Sequence, residues 1–302
     1  NRYDWVVAVS GPYCVHDIAC CADLSQARLA LYYFDPYSMH ALFSPKNREN
    51  RMRQECKNLE RADRAFASPE HREDWQTTAL SHYIHKVRFV PYPNLAPDKG
   101  SPGPVPVPIA PGGVSLVYLG ALHDRVRYPE PLFSLFGQMV ALEPRLRLFV
   151  VGCKSGAEVG RQVRNAQQRL GEHLVCMDAV PFPQAMGLLQ KADCAVNLGN
   201  CMKNQMPSKL LDYISAGKPI LNLSYNRPCN TEPYIARYPW ALHFYRDELE
   251  DAAGLRRAAR KAVEFVLSHR GECLPWSEIQ RHMQGFTAKD AAERFYAELG
   301  DV

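Results

Sequence analysis

The sequence predicts an α/β protein built from two Rossmann-like domains, the first of them incomplete. Six short apolar runs, Val114 to Leu119, Leu146 to Val151, Leu174 to Met177, Cys194 to Leu198, Ile220 to Leu223 and Ala241 to Tyr245, alternate with helical patterns. That rhythm belongs to a parallel sheet covered on both faces. Only four such runs precede them, Trp5 to Val9, Leu29 to Phe34, Ala65 to Ala67 and Val87 to Val90, fewer than a full Rossmann half contains. Between the two sets, eight of the 23 prolines lie from Pro91 to Pro111, and Gly112-Gly113 follows. Proline fixes φ and removes a donor, so this run reads as an extended, semi-rigid connector. The expected division is 1–90, a linker 91–113, a second domain 114–265, and a helical tail 266–302.

The last part is helical because Leu255, Ala259, Ala262, Val263 and Val266, then Phe286, Ala291, Phe295 and Leu299, recur near helix spacing. The composition, 46% hydrophobic and 23% charged over 302 residues, is that of an ordered globular chain. Ten cysteines occur without a C-x-x-C pair, which excludes a zinc ribbon or dithiol redox motif and points to a reduced, cytoplasmic setting. A net charge of +4 is too small to imply nucleic acid, and no apolar run is long enough to span a bilayer. No signal peptide is visible, and a first residue of Asn1 suggests a processed or trimmed chain.

Residues 206–221, Met-Pro-Ser-Lys-Leu-Leu-Asp-Tyr-Ile-Ser-Ala-Gly-Lys-Pro-Ile-Leu, carry the most chemistry. Pro207 suits the opening of a helix, whose free N–H groups favour an anion, and Ser208 and Lys209 add a hydroxyl and an ammonium there, with Leu210 next. Asp212 shares a face with Lys209, and a carboxylate can accept from both hydroxyls of a ribose. Gly217 is expected to end the helix in a left-handed cap, with Pro219 opening the next strand. This segment resembles the donor-binding helix of GT-B glycosyltransferases, in the large retaining family 4 type (glycosyl transferases group 1). Asp193-Cys-Ala-Val-Asn-Leu-Gly199, Val117-Tyr-Leu-Gly120 and Leu148-Phe-Val-Val-Gly152 resemble that family's preceding strand and its two earlier strand-to-loop glycines. The resemblance implies a nucleotide-sugar donor and no resident cofactor. It also implies an N-terminal domain that starts with further strands, and a final helix that crosses back to it through Phe295 and Leu299. Where the family commonly has Glu-x7-Glu, this chain has Asn204 and Asp212. The charge meant for the ribose is kept, and that near the sugar is replaced by an amide.

Ligands of open doubly wound sheets bind at the carboxyl ends of the strands. That rule gathers Gly120 with Arg125 and Arg127, Gly152 with Lys154, the Asp178 to Phe182 loop, and Asn197 to Lys209. Arg127, set before Tyr128-Pro129, resembles the family's Arg-asparagine-proline loop and is preferred over Arg125. The loop containing Val180 resembles the segment whose backbone holds the base. On the acceptor side, Ser10-Gly11-Pro12 stands where many members carry a histidine, and His16 is the nearest in sequence. Asp35 resembles a family aspartate facing the cleft, able to bind an acceptor hydroxyl, to act as a base, or only to cap the next turn. The Lys46 to Arg64 stretch, seven basic residues against four acidic, is either a solvated helix with ion pairs or a peripheral contact with an anionic lipid surface.

No Asp-x-Asp, H-E-x-x-H, G-x-S-x-G or P-loop motif is present, so no metal ligand set is expected. The reading is a retaining, metal-independent glycosyltransferase acting on a glycan or glycolipid acceptor, as in polysaccharide biosynthesis, with Asn204, Lys209 and Asp35 nearest the chemistry. Two alternatives stand beside it, a nucleotide-sugar 2-epimerase-like isomerase and a silent nucleotide-binding or assembly module. Sugar, base, acceptor and oligomeric state are not legible in the residues.

Overall fold

The computed structural model describes residues 3–40, 42–97, 100–109 and 111–300. It divides into two compact units, Asn1–Pro93 with Gln284–Val302, and Asn94–Met283.

Unit 1 runs β1 (Trp5–Val9), α1 (Cys14–Cys21), β2 (Arg28–Tyr33), α2 (Pro45–Arg61), β3 (Arg64–Ala67), α3 (Arg72–Thr77) and β4 (Val87–Phe89). The strands form one parallel sheet in the order β1-β2-β3-β4, with Val6 opposite Leu29, Leu31 opposite Ala65 and Ala65 opposite Val87. Alternation sends side chains of the central strands to opposite faces, and both faces are covered. One face packs Leu29, Leu31, Tyr33, Leu59 and Trp75; the other packs Ala30, Phe66 and Val90 against Phe295 and Leu299. Helix α2 starts sharply, because Ser44 accepts from Asn47 N at 3.3 Å and Pro45 takes the first helical position. It buries Glu55, Asn58 and Leu59, while Arg53 pairs with Glu49 at 2.6 Å on the solvent side.

Unit 2 contains β5 (Val114–Leu119), β6 (Leu122–His123), α4 (Glu130–Leu142), β7 (Leu146–Val151), β8 (Lys154–Ser155), α5 (Ala157–Leu170), β9 (Leu174–Met177) and α6 (Phe182–Lys191). It continues with β10 (Cys194–Leu198), α7 (Lys209–Ser215), β11 (Ile220–Ser224), α8 (Glu232–Ile235), β12 (Ala241–Tyr245), α9 (Ala252–Ser268) and α10 (Trp276–His282). The six-stranded parallel sheet has the order β12-β11-β10-β5-β7-β9. All six residues of β5 are buried, as expected of a central strand covered twice. The chain lays β7 and β9 to one side of β5, then returns to place β10 on the other. The strand order therefore reverses between β5 and β10.

The proline-rich run differs from a free connector. From Asn94 onward it counts with unit 2, where Gly103 N donates to Pro183 O at 2.7 Å and Ala96 N to Ser215 Oγ at 3.3 Å. A β-carbon on Gly187 would come within 2.2 Å of Gly103 O, so that glycine lets the run lie directly on α6. Prolines forbid a sheet ladder, and the intervening glycine and alanine supply the contacts instead. Asp98, Lys99 and Ala110 of this run lie outside the described residues. The expected cut at 265 also moves: α9 and α10 both belong to unit 2 and the chain changes unit at Gln284, before α11 (Ala288–Gly300). In unit 1, the Phe295 ring lies 4.5 Å from that of Phe66, Trp5 Nε1 donates to Leu299 O at 3.1 Å, and Arg88 pairs with Glu298 at 2.6 Å. Among the described residues, no helix is long and apolar enough to cross a membrane.

Candidate functional site

The strand order reverses between β5 and β10, and doubly wound sheets hold their ligands at the carboxyl ends of the strands beside such a reversal. Gly120 ends β5 with φ +156°, and Gly152 ends β7 with φ +143°. Gly120 N donates to Val151 O at 2.9 Å, and a β-carbon on Gly152 would meet Gly120 O at 2.1 Å. The two turns are stacked backbone on backbone. A β-carbon on Gly120 would stand 3.3 Å from Arg127 Nη1, so glycine there admits the guanidinium.

Arg127 faces inward while Arg125 is exposed. The Arg127 guanidinium donates from Nε (3.1 Å) and Nη2 (2.5 Å) to Asn200 Oδ1, and from Nη1 to Tyr118 Oη (3.3 Å) and Ala121 O (3.4 Å). Asn200, buried just beyond β10, donates in turn to Gln205 O at 2.6 Å. A neutral amide thus orients the arginine without cancelling its charge. Asn200 falls within the Asn197 to Lys209 stretch that the strand-end rule gathers, but nothing singles it out there, because an amide in an irregular loop carries no periodic signal.

Helix α7 is fixed to the carboxyl end of β5 by Tyr213, whose hydroxyl accepts from Leu119 N at 2.7 Å and donates to Leu119 O at 3.1 Å. The helix begins at Lys209, with Ser208 as its N-cap, later than the Pro207 start expected. Pro207 and Ser208 instead form a tighter turn, in which Leu210 N reaches Pro207 O at 3.0 Å and the exposed Ser208 side chain makes no capping bond. Lys209 Nζ lies 3.0 Å from Asp212 Oδ2 and 5.0 Å from the centre of the Phe182 ring. The lysine side chain is 38% exposed and the aspartate 10%. Gly217 closes the helix with φ +67°, and a β-carbon there would strike Leu274 O at 2.2 Å.

Phe182 opens α6, so the loop holding the half-buried Val180 adjoins Lys209. Lys154 is engaged otherwise: its ammonium donates to Met177 O and lies 3.7 Å from Asp178 Oδ1, with 17% of its side chain exposed. Asn204 sits half-buried in the turn between β10 and α7. The structure therefore gathers Gly120, Arg127, Lys209, Leu210 and Asp212 around the ends of β5 and β10, with Asn200, Tyr213 and Phe182 as additional members.

Asp35 belongs to unit 1, half-buried after β2, where its charge helps to raise the Tyr13 hydroxyl beside the larger effect of burial. His16 is sealed in the core, Nε2 3.3 Å from Tyr32 O, and burial lowers its pKa. An enclosed imidazole of this kind is structural. Ser10 Oγ accepts from Phe34 N at 3.0 Å, tying the ends of β1 and β2. Among the described residues, no group of three or more His, Cys, Asp or Glu is arranged to hold a metal ion.

No family profile matches the chain, and no curated protein matches its sequence. Solved structures do match. The pneumococcal O-GlcNAc transferase GtfA, solved with UDP and GlcNAc, aligns with a TM-score of 0.57 at 15% identity over 99% of this chain. Anabaena HepE, solved with UDP-glucose, aligns with a TM-score of 0.65 at 11% identity over 99% of this chain. A UDP-forming α,α-trehalose-phosphate synthase from Burkholderia xenovorans, solved with glucose-6-phosphate, aligns with a TM-score of 0.62 at 11% identity, again over 99%. The chain spans 57% of the length of GtfA, 79% of HepE and 74% of the synthase. At these identities the likeness is one of fold. The protein shares the α/β fold of GT-B glycosyltransferases, with two parallel sheets clothed by helices.

Proposed function

We propose that the protein is a glycosyltransferase that takes a sugar from a nucleotide-sugar donor to a glycan or glycolipid acceptor, with retention and without a metal. The observation that carries this is the convergence, at the point of strand-order reversal, of Lys209, Asp212 and Arg127 on a framework pinned by Tyr213 and Asn200. In this reading the Arg127 fork and the Lys209 ammonium meet the diphosphate, opposing the charge that grows on the leaving group. Asp212 receives the ribose hydroxyls, and backbone near Val180 holds the base. Each ribose hydroxyl that bonds Asp212 competes with Lys209 for the carboxylate and turns the ammonium toward the phosphates. The solved GtfA and HepE structures contain UDP or UDP-glucose, so a uridine nucleotide is the first donor to test. Asn204 stands near the donor sugar, and Asp35, on the resemblance alone, is assigned to an acceptor hydroxyl bound by unit 1.

Calorimetry with UDP, ADP, GDP, CDP and TDP, and with UDP-glucose and uridine, followed by a transfer assay over oligosaccharide and polyprenyl-phosphate acceptors, tests the proposal. Binding with transfer supports it, and no binding of any nucleoside diphosphate removes it. A second reading, a nucleotide-binding module without turnover, is favoured by the amide of Asn204 where the resembling family commonly has a glutamate. Binding without transfer or donor hydrolysis would select it.

A further inference from the structure

Strands β10, β11 and β12 carry a row of polar side chains in a largely apolar sheet. Asn197 stands in register with Asn222, and Asn222 with His243. Two residues further, Ser224 is in register with Tyr245, so by alternation these side chains share one face. Buried amides at the centre of a sheet are costly unless satisfied, and here the bonding has a direction. Asn197 Nδ2 donates to Asn222 Oδ1 at 2.6 Å, and Asn222 Nδ2 donates onward to Ser224 Oγ (3.2 Å) and Thr231 Oγ1 (3.3 Å). The two hydroxyls lie 3.5 Å apart, so one hydrogen can be held between them and the other is left to give. The acceptor within reach is Cys229 Sγ, 3.3 Å from Thr231 Oγ1 and 3.9 Å from His243 Nε2.

We infer that Cys229, with His243 as its partner, is a thiolate site for covalent modification by peroxide or other small soft electrophiles. The donors converge on sulfur from separate elements, His243 from β12, Ser224 from the end of β11, and Thr231 from the turn before α8. Burial raises the Cys229 thiol, but hydrogen bonds from His243, Ser224 and Thr231 outweigh it and hold the group down at about 7. Cys20, Cys176, Cys194 and Cys201 lack such a donor set, and burial pushes each of them up. The other charged and titratable groups around Cys229 are Tyr245, whose hydroxyl donates to Glu232 at 3.2 Å, and Arg227, 3.7 Å above the Tyr245 ring and paired with Asp247 and Glu248. Cys229 is only partly buried, so a small reagent can reach it.

With hydrogen peroxide, the thiolate sulfur attacks one peroxide oxygen, and an S–O bond forms as the O–O bond breaks. Sulfur loses two electrons, the peroxide gains them, and the departing hydroxide takes a proton from solvent to leave as water. The product is a sulfenic acid, which an external thiol can reduce again.

The test labels the folded chain with iodoacetamide from pH 5.5 to 9.5 and follows each cysteine-containing peptide by mass spectrometry. The expected result is a midpoint for Cys229 at about 7, below the value of about 8.5 for an ordinary free thiol. At pH 7 this corresponds to labelling about threefold faster, since a lower thiol pKa also lowers intrinsic nucleophilicity. His243→Gln should raise the Cys229 midpoint by roughly one pH unit or more, and Thr231→Val should raise it by less. Peroxide followed by dimedone should mark Cys229 before any other cysteine. A Cys229 midpoint at or above that of the exposed cysteines, absence of its adduct, or a midpoint unmoved in both variants would overturn the assignment. Should His243→Gln fail to fold by circular dichroism, the unmodified chain and Thr231→Val decide it.

Discussion

The Arg127 guanidinium reaches from the loop after β5 to Asn200 after β10 and donates two hydrogen bonds to its Oδ1, at 3.1 and 2.5 Å. The bond spans the point at which the order of the strands reverses. Because its acceptor is neutral, the arginine keeps its full charge for an anion. Asn200→Asp should place a carboxylate against the guanidinium and lower affinity for a nucleoside diphosphate about tenfold, with nucleoside affinity unchanged. Calorimetry with the two ligands measures this, and an unchanged diphosphate affinity would count against Arg127 as a phosphate contact.

Lys209→Ala should leave the fold intact, since the side chain is part-exposed on the first turn of α7. A charge-assisted hydrogen bond is worth about 1.5–3 kcal/mol, so diphosphate affinity should fall roughly ten- to a hundredfold. Asp212→Ala should weaken nucleoside and diphosphate alike, because its proposed partner is the ribose. A diphosphate titration of folded Lys209→Ala that overlays the parent curve would reduce the ammonium to a surface charge.

Transfer should survive chelation, given the absence of Asp-x-Asp from the sequence. The check is turnover in EDTA. Loss of activity that magnesium or manganese restores would refute a leaving group met by side chains alone.

Unit 1 should show a balance of two opposed pH effects. Glu55 and His71 line one small cavity with Tyr33 and Trp75. Burial, with Asp74 adding to it, raises Glu55 from 4.5 to about 7 against the bonds from Ser38, while burial lowers His71 from 6.5 to about 4. The raised Glu55 contributes stability that is complete below pH 4.5 and is lost as pH rises to about 7. The depressed His71 contributes stability that is complete above pH 6.5 and is lost as pH falls to about 4. Each effect is on the order of 3 kcal/mol across its window, so the two largely cancel where the windows overlap. Glu55→Gln should expose the histidine alone, giving urea midpoints that climb from pH 4.5 to 6.5. A variant as flat as the parent would show that the opposition does not exist.

What could be read from the sequence was local. Val114 to Leu119 and Leu146 to Val151 are strands at the expected residues, because continuous apolar runs between turn residues leave few other choices. Lys209 and Asp212 were legible as a pair because a helix brings together residues three apart. The Arg127–Asn200 bond joins residues distant in the chain, and the row Asn197, Asn222, His243 depends on the register of three strands. Neither leaves a periodic trace. The proline-rich run was legible as irregular, but its packing on α6 rests on small residues meeting, at Gly103 and Gly187, and composition does not encode that meeting.

The stacking of Gly152 on Gly120 bears on how this protein can change. The atom that a β-carbon at 152 would strike is a main-chain carbonyl, and no rotamer can move it aside. Room could come only from lifting the turn after β5, which would draw Leu119 away from the Tyr213 hydroxyl and shift Arg127. Substitutions in the surrounding side chains therefore have no means of compensating a larger residue at 152. The turn after β5 and the turn after β7 can drift in sequence only together, through a change of backbone.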